Sequence, residues 1–249
     1  MARSSEVSRS ALRIAGAALV LALTACTVDV PAQPVATARP VSSQEAELLA
    51  TTRFLNFDQG GVRFSTQLPV DGSALTLTGW VDHAAHVGYA AVTGDFPAQA
   101  MLWTGDTVGI RASEPDGEGL PVLPIPALDD LAWQSRALDA AASDLDRMLT
   151  VLLGLGADRP DNPLLLQQSG ALWLRDDEVG GEPVTVFAAP PSDEPIAAGT
   201  TVSADTSPLR LWVGADGRLR QAELRISGEW ARIALDPSAE IPQLELPGS

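Results

Sequence analysis

Apolar and polar positions along this chain follow two different periods, and the switches between them mark its elements. Ser42-Ser43-Gln44-Glu45 has the Ser-x-x-Glu spacing of a capping box, and Leu48, Leu49, Thr52 and Leu55 follow at helical spacing. A helix near 43–56 is predicted, with Gly60-Gly61 to stop it. The period then becomes two. Val62 to Leu68 alternates apolar and polar, as does Leu75 to Val81, and Val87 to Thr93 and Ala100 to Trp103 continue the strand pattern. Gly105-Asp106 reads as the turn of a hairpin that continues to Ile110.

Residues 113–126 form a loop rich in Pro, Gly and acids. Leu128, Leu131, Ser135, Leu138, Ala142, Leu145, Leu149 and Leu152 are spaced alternately three and four apart, which permits one long helix. Ser143, three residues before Asp146, is a second N-cap signal, so the helix is placed at about 143–154 and 128–138 is left open. Asn162-Pro163 starts a further helix, with the cap at Asn and Pro at its first position, and Gly170 sits at its C-terminal end. Strands return at Ala171–Arg175 and Pro183–Ala188, around an acidic turn. They continue at Pro208–Val213 and Leu219–Ile226, around Gly214-Ala215-Asp216-Gly217, and Trp230–Leu235 adds an edge strand. Strands before and after central helices, without βαβ alternation, predict an antiparallel α+β domain rather than a Rossmann sheet.

The N-terminus reads as a targeting segment. Arg3, Arg9 and Arg13 precede an apolar run from Ile14 to Leu23, too short to cross a bilayer, which needs about 20 residues. Leu23-Thr24-Ala25-Cys26 resembles the bacterial lipobox, and Cys26 is the one Cys of the chain. That pattern implies removal of residues 1–25 and lipid on Cys26. The protein would then be held at the extracytoplasmic face of the cell membrane. Residues 26–41, with Pro31, Pro34 and Pro40, read as a semi-extended tether, and 42–249 as one domain.

Composition narrows the chemistry. The chain has 249 residues and a net charge of −16, which excludes nucleic acid as a partner on electrostatic grounds. Two His and one Tyr leave little material for acid–base catalysis at neutral pH. His83-Ala84-Ala85-His86 falls between strands and reads as a turn, since neither Cys nor a third His can complete a zinc site. No Gly-x-Ser-x-Gly or phosphate loop occurs. The acid pairs at 129–130, 144/146 and 176–178 read as turn and helix-cap residues. No catalytic residue, metal site or cofactor is expected.

The six Trp remain. Trp80, Trp103, Trp173, Trp212 and Trp230 lie in or beside strands, and Trp133 precedes the central helix. They read either as core of a curved sheet or as lining of a cavity for a long apolar ligand. A core and a cavity draw on the same residue types, so both readings stand.

Lipobox, Pro-rich tether, helix and acidic strand-rich body together resemble the actinobacterial LppX/LprAFG-type envelope lipoproteins, which share the fold of the carrier LolA. The resemblance rests on Gly79-Trp80-Val81-Asp82, on Leu209–Val213 and on the hairpin Gly214–Arg220. It implies a strongly curved antiparallel half-barrel with helices on its concave side, and an acyl chain or other lipid bound between them. Leu145, Met148, Leu149 and Leu152 would be the helical stripe facing that volume, with Trp80, Trp103 and Trp133 as further candidate lining. Burial at about 0.8 kcal/mol per CH₂ holds such a ligand without a reactive group. The competing expectation is a ligand-free sensor or scaffold that presents a surface to an envelope protein not identifiable from sequence.

Overall fold

The computed structural model describes residues 37–70, 73–127, 132–191, 194–197, 200 and 202–244. The targeting segment, Cys26 and most of the tether lie outside the described residues, as do Leu128 and Leu131 of the spaced series.

The helix starts form as their caps dictate. Helix α1 (Ser43–Asp58) has a complete capping box: Ser42 Oγ accepts from the Glu45 amide, and the Glu45 carboxylate accepts from the Ser42 amide. Helix α2 (Asp144–Gly154) begins after Ser143, whose hydroxyl accepts from the Asp146 amide at 3.0 Å. Helix α3 (Pro163–Gln168) begins after Asn162, whose Oδ1 caps the amides of Leu164 and Leu165. Gly170 follows α3 at φ +87°, the left-handed conformation that ends helices.

Twelve strands form one antiparallel sheet among the described residues: β1 (Arg39–Pro40), β2 (Gly61–Val70), β3 (Ser73–Asp82), β4 (Val87–Thr93), β5 (Gln99–Trp103), β6 (Thr107–Ala112), β7 (Gln134–Ala137), β8 (Leu172–Val179), β9 (Glu182–Ala188), β10 (Leu209–Gly214), β11 (Leu219–Ile226) and β12 (Glu229–Asp236). Their order is β1-β8-β9-β10-β11-β12-β2-β3-β4-β5-β6-β7, so the sheet is open. It consists of two consecutive meanders, β2–β7 and β8–β12, joined where β12 pairs with β2. The chain from β7 to β8 must cross the sheet from its far edge, and α2 and α3 occupy that crossing.

The sheet curls around its helices. One apolar cluster contains Leu49 of α1, Met148, Leu149 and Leu152 of α2, Trp103 of β5 and Leu211 of β10. Strands β5 and β10 are six steps apart in the sheet, about 29 Å if it were flat, at about 4.8 Å per step. Elements of helical diameter, about 10–12 Å, cannot bridge that span unless the sheet bends toward them. This is the α+β curved half-barrel expected from the sequence, with helices on the concave side. Two smaller clusters occupy the opposite face: Trp80, Tyr89, Leu102 and Ile125 in one, Leu174, Val186 and Trp212 in the other.

Three elements depart from the expectation. Trp230–Leu235 was expected at an edge, yet β12 is internal and forms the seam between the meanders, with Ala231 and Ile233 buried on the helix side. The open stretch 128–138 yields strand β7 over 134–137, not helix; its register with β6 pairs Arg136 with Val108. The sheet also begins inside the expected tether, since Arg39 and Pro40 pair with Trp173 and Leu172. Pro40 is tolerated because β1 is an edge strand, where a missing N–H breaks no ladder. Arg39 fastens this strand: both terminal nitrogens reach Glu45 at 2.7 Å, and its guanidinium lies 4.4 Å from the Trp173 ring centroid.

Candidate functional site

A cleft of about 530 Å³ opens between the three helices and the inner face of β10 and β11. Helix α1 contributes Leu49, Thr52 and Arg53; α2 contributes Thr150, Val151 and Gly154, followed by Leu155. Leu165 and Leu166 of α3 form one wall, and Leu209, Leu211 and Leu219 form the floor. The floor residues follow from strand geometry, because Leu209 and Leu211 are two apart and point to one face.

The polar lining is satisfied locally. Thr52 donates to the Leu48 carbonyl at 3.2 Å, Thr150 to Asp146 at 2.9 Å and Ser169 to Leu165 at 2.6 Å. Each hydroxyl proton is used inside its own helix, so these groups demand no polar partner from a ligand. Arg53 donates to the Gly154 carbonyl at 2.8 Å and to Asp161 at 2.9 Å. The one cation and one carboxylate of the cleft thus neutralise each other. The result is an apolar recess whose one ion pair leaves it without net charge.

Helix α3 explains why the recess has an apolar wall. Pro163-Leu164-Leu165-Leu166 places three Leu in succession, and consecutive helical residues are about 100° apart. A six-residue helix cannot turn all three to one core. Leu165 and Leu166 face the cleft, while Leu164 is 58% exposed. That triple Leu was the signal available in the sequence for this wall.

None of the seven candidate lining residues borders this cleft. Met148, Leu149 and Leu152 are completely buried in the central cluster, and Leu145 packs on it half-buried. Trp103 is buried with them: its ring sits edge-on to Phe64, with centroids 6.1 Å apart, and its Nε1 donates to the Leu149 carbonyl at 3.2 Å. Gly88, directly opposite on β4, makes room for the ring; a Cβ there would lie 2.1 Å from Trp103 Cζ2. Trp80 and Trp133 belong to the cluster on the other face of the sheet and do not meet α2. The reason lies in helix geometry. The strongest apolar stripe of α2 docks on the sheet, and the cleft runs along its weaker flank, where Thr150 and Val151 sit. Four Trp rings instead carry Arg guanidinium groups: Trp133, Trp173, Trp212 and Trp230, the last with Arg210 4.0 Å from its centroid.

The two His separate in role. His86 is exposed at φ +54° in the β3–β4 turn, whereas His83 is 1% exposed. Neither His83 ring nitrogen makes a hydrogen bond of normal geometry. Burial pushes its pKa down to about 4, outweighing the nearby Leu153 backbone and Asp82, which favour the charged ring.

No family model matches the chain, and no curated protein matches it. Among solved structures, its fold is similar to lipoprotein LppX of Mycobacterium tuberculosis, at 12% identity and a TM-score of 0.43, over 80% of this chain and 98% of that one. It is likewise similar to LprF of Mycobacterium bovis, at 13% identity and a TM-score of 0.42, over 83% of this chain and 99% of that one.

Proposed function

We propose that this protein is a membrane-anchored envelope lipoprotein that binds a lipid or other long apolar ligand in the cleft between its helices and β10–β11. The observation that carries the reading is the cleft. Its volume, about 530 Å³, lies within the range of about 300–1,000 Å³ typical of small-molecule sites. Its polar groups are already paired, so the free energy of occupancy comes from apolar burial, about 0.8 kcal/mol per CH₂. The Met148–Leu152 stripe of α2 packs with Trp103 in the core, and the ligand lies on the other flank of that helix.

Two lipids are distinct in this reading. One is covalent, on Cys26, and fixes the address; the other is cargo. The test separates them. A chain with Cys26→Ser is purified, extracted with organic solvent and analysed by mass spectrometry for stoichiometric lipid. The same protein is titrated with a fluorescent long-chain alcohol. Saturable uptake is expected. Val151→Trp, which fills the cleft from a half-buried position, is expected to weaken uptake at least tenfold with little change in Tm. Absence of both extracted lipid and saturable uptake would overturn the reading in favour of a ligand-free scaffold. Retention of Cys26→Ala at the membrane would overturn the anchor.

A further inference from the structure

We propose that His83 is a proton-operated latch behind the strap that walls the cleft: while neutral it locks the strap 154–161 in place, and when protonated it frees that strap from the sheet. This deepens the binding reading above by giving the cleft a means of opening.

The strap joins α2 to α3 and supplies Gly154, Leu155 and Asp161 to the cleft wall. On one side it is tied to α1. Asn56 donates to the Leu155 carbonyl at 2.8 Å, the Ala157 amide to Arg53 at 3.0 Å and the Asp161 amide to Ala50 at 2.9 Å. On the other side it rests on His83, whose own amide is fixed to the Gly60 carbonyl at 3.0 Å. The contact with Gly156 is close enough that a Cβ there would lie 2.3 Å from His83 Cγ. The imidazole is therefore wedged between the β3–β4 turn and the strap, with neither ring nitrogen in a hydrogen bond of normal geometry and the Leu153 backbone as its nearest polar neighbour. A neutral ring tolerates this. An imidazolium does not, because it must be hydrated or paired to be buried.

The charged groups that act on His83 from the surrounding elements are Asp82 at the end of β3, His86 in the turn and Arg53 on α1. Burial opposes the cation most; the Leu153 backbone and then Asp82 favour it, while His86 and Arg53 oppose it. The depressed value sets the sign. The closed state binds its proton only near pH 4, and a solvated imidazole binds it near 6.5. Closure is thus fully favoured above about pH 6.5 and weakens by about tenfold per unit as the pH falls toward 4. Protons drive opening; neutral pH holds the strap shut.

Hydrogen exchange on the chain carrying Cys26→Ser, otherwise unaltered, tests the latch without any ligand. The Ala157 and Asp161 amides, after correction for intrinsic exchange rates, are expected to lose about 100-fold in protection between pH 7 and pH 4. Amides of β11, such as Leu224, should keep theirs. His83→Leu, which cannot titrate, should abolish the pH dependence, and His86→Gln should preserve it. Because the chain has two His, an NMR titration of their ring carbons assigns the titrating group even if His83→Leu fails to fold. Unchanged protection of the strap at pH 4 overturns the proposal, as does loss shared equally with β11 or retained in His83→Leu. The fluorescent alcohol is then added at each pH. If it binds neither at pH 7 nor at pH 4, the binding reading fails while the exchange data still decide the latch. If it binds and the strap does not open, the latch alone fails.

Discussion

Trp103 and the Arg136–Asp146 pair show how single residues fasten α2 to the sheet. Trp103 needs the bare backbone of Gly88 beneath its ring, so Gly88→Ala forces the ring or strand β4 to shift. A cost of about 1–3 kcal/mol is expected from such overpacking, read as a lower urea midpoint at unchanged m-value. Asp146 lies fully buried at the start of α2 and accepts from both terminal nitrogens of Arg136, at 2.5 and 2.6 Å, and from the Asp139 amide at 3.1 Å. The Arg136 hydrogen bonds hold its pKa below the ordinary carboxylate value. Removing Arg136 leaves that carboxylate buried without its main partner, so Arg136→Ala is expected to cost more than about 2 kcal/mol in chemical denaturation. The Arg39 hydrogen bonds similarly draw Glu45 down to about 2. Both acids bind protons more weakly folded than unfolded. Their stabilisation is therefore complete at neutral pH and declines as the pH falls below about 4, which a pH series of Tm values checks. A Tm rising on acidification through that range would contradict the assignment.

At the scale of elements, what could be read from the chain was what local chemistry decides. Three helix starts were legible because Ser42, Ser143 and Asn162 each satisfy amides within three residues of themselves. Strands β4 and β11 were legible to the residue, β4 as a short apolar run and β11 by its partial alternation, both bounded by turns that are local too. Strand β12 carried the right alternation, but its second neighbour, β2, begins 168 positions earlier, and no local signal records that pairing. Strand β7 was hidden because its four residues are all exposed and hold their place through β6 and Asp146. The cleft was legible only in kind. An apolar stripe on α2 announced that something packs there, but the same stripe serves a filled core as well as a recess, and here it serves the core. The wall that the sequence did mark, Pro163 to Leu166, depends on its cap. Asn162→Ala is expected to destabilise by about 1 kcal/mol and, because α3 borders the cleft, to weaken uptake of a fluorescent alcohol more than its effect on Tm explains. Equal uptake in the variant would remove α3 from the site.

For the whole molecule, the decisive link is the β12–β2 seam. The main apolar cluster draws on both meanders at once, with Phe64 and Val81 from the first and Leu224 and Ile233 from the second. Neither meander has a private core on the helix side, so the described body should unfold in one transition. Deleting from residue 229 onward removes the shared strand and leaves β2 and β11 as unpaired edges. Such edges recruit other chains, so this truncation is expected to aggregate or to melt without cooperativity. Beginning the chain at Ser42 instead removes β1, the burial of Val41 and the exposed Arg39–Glu45 pair. That loss amounts to about 2–3 kcal/mol and a Tm lower by about 5–10 °C, with cooperativity kept. Circular dichroism melts of the two truncations decide the matter. Because β1 is an edge of two residues and β12 a seam of eight, the contrast between them follows from topology rather than from length alone. A cooperative melt of the chain lacking residues from 229 onward would mean that the meanders are independently stable and that the bend of the sheet is not what holds them together.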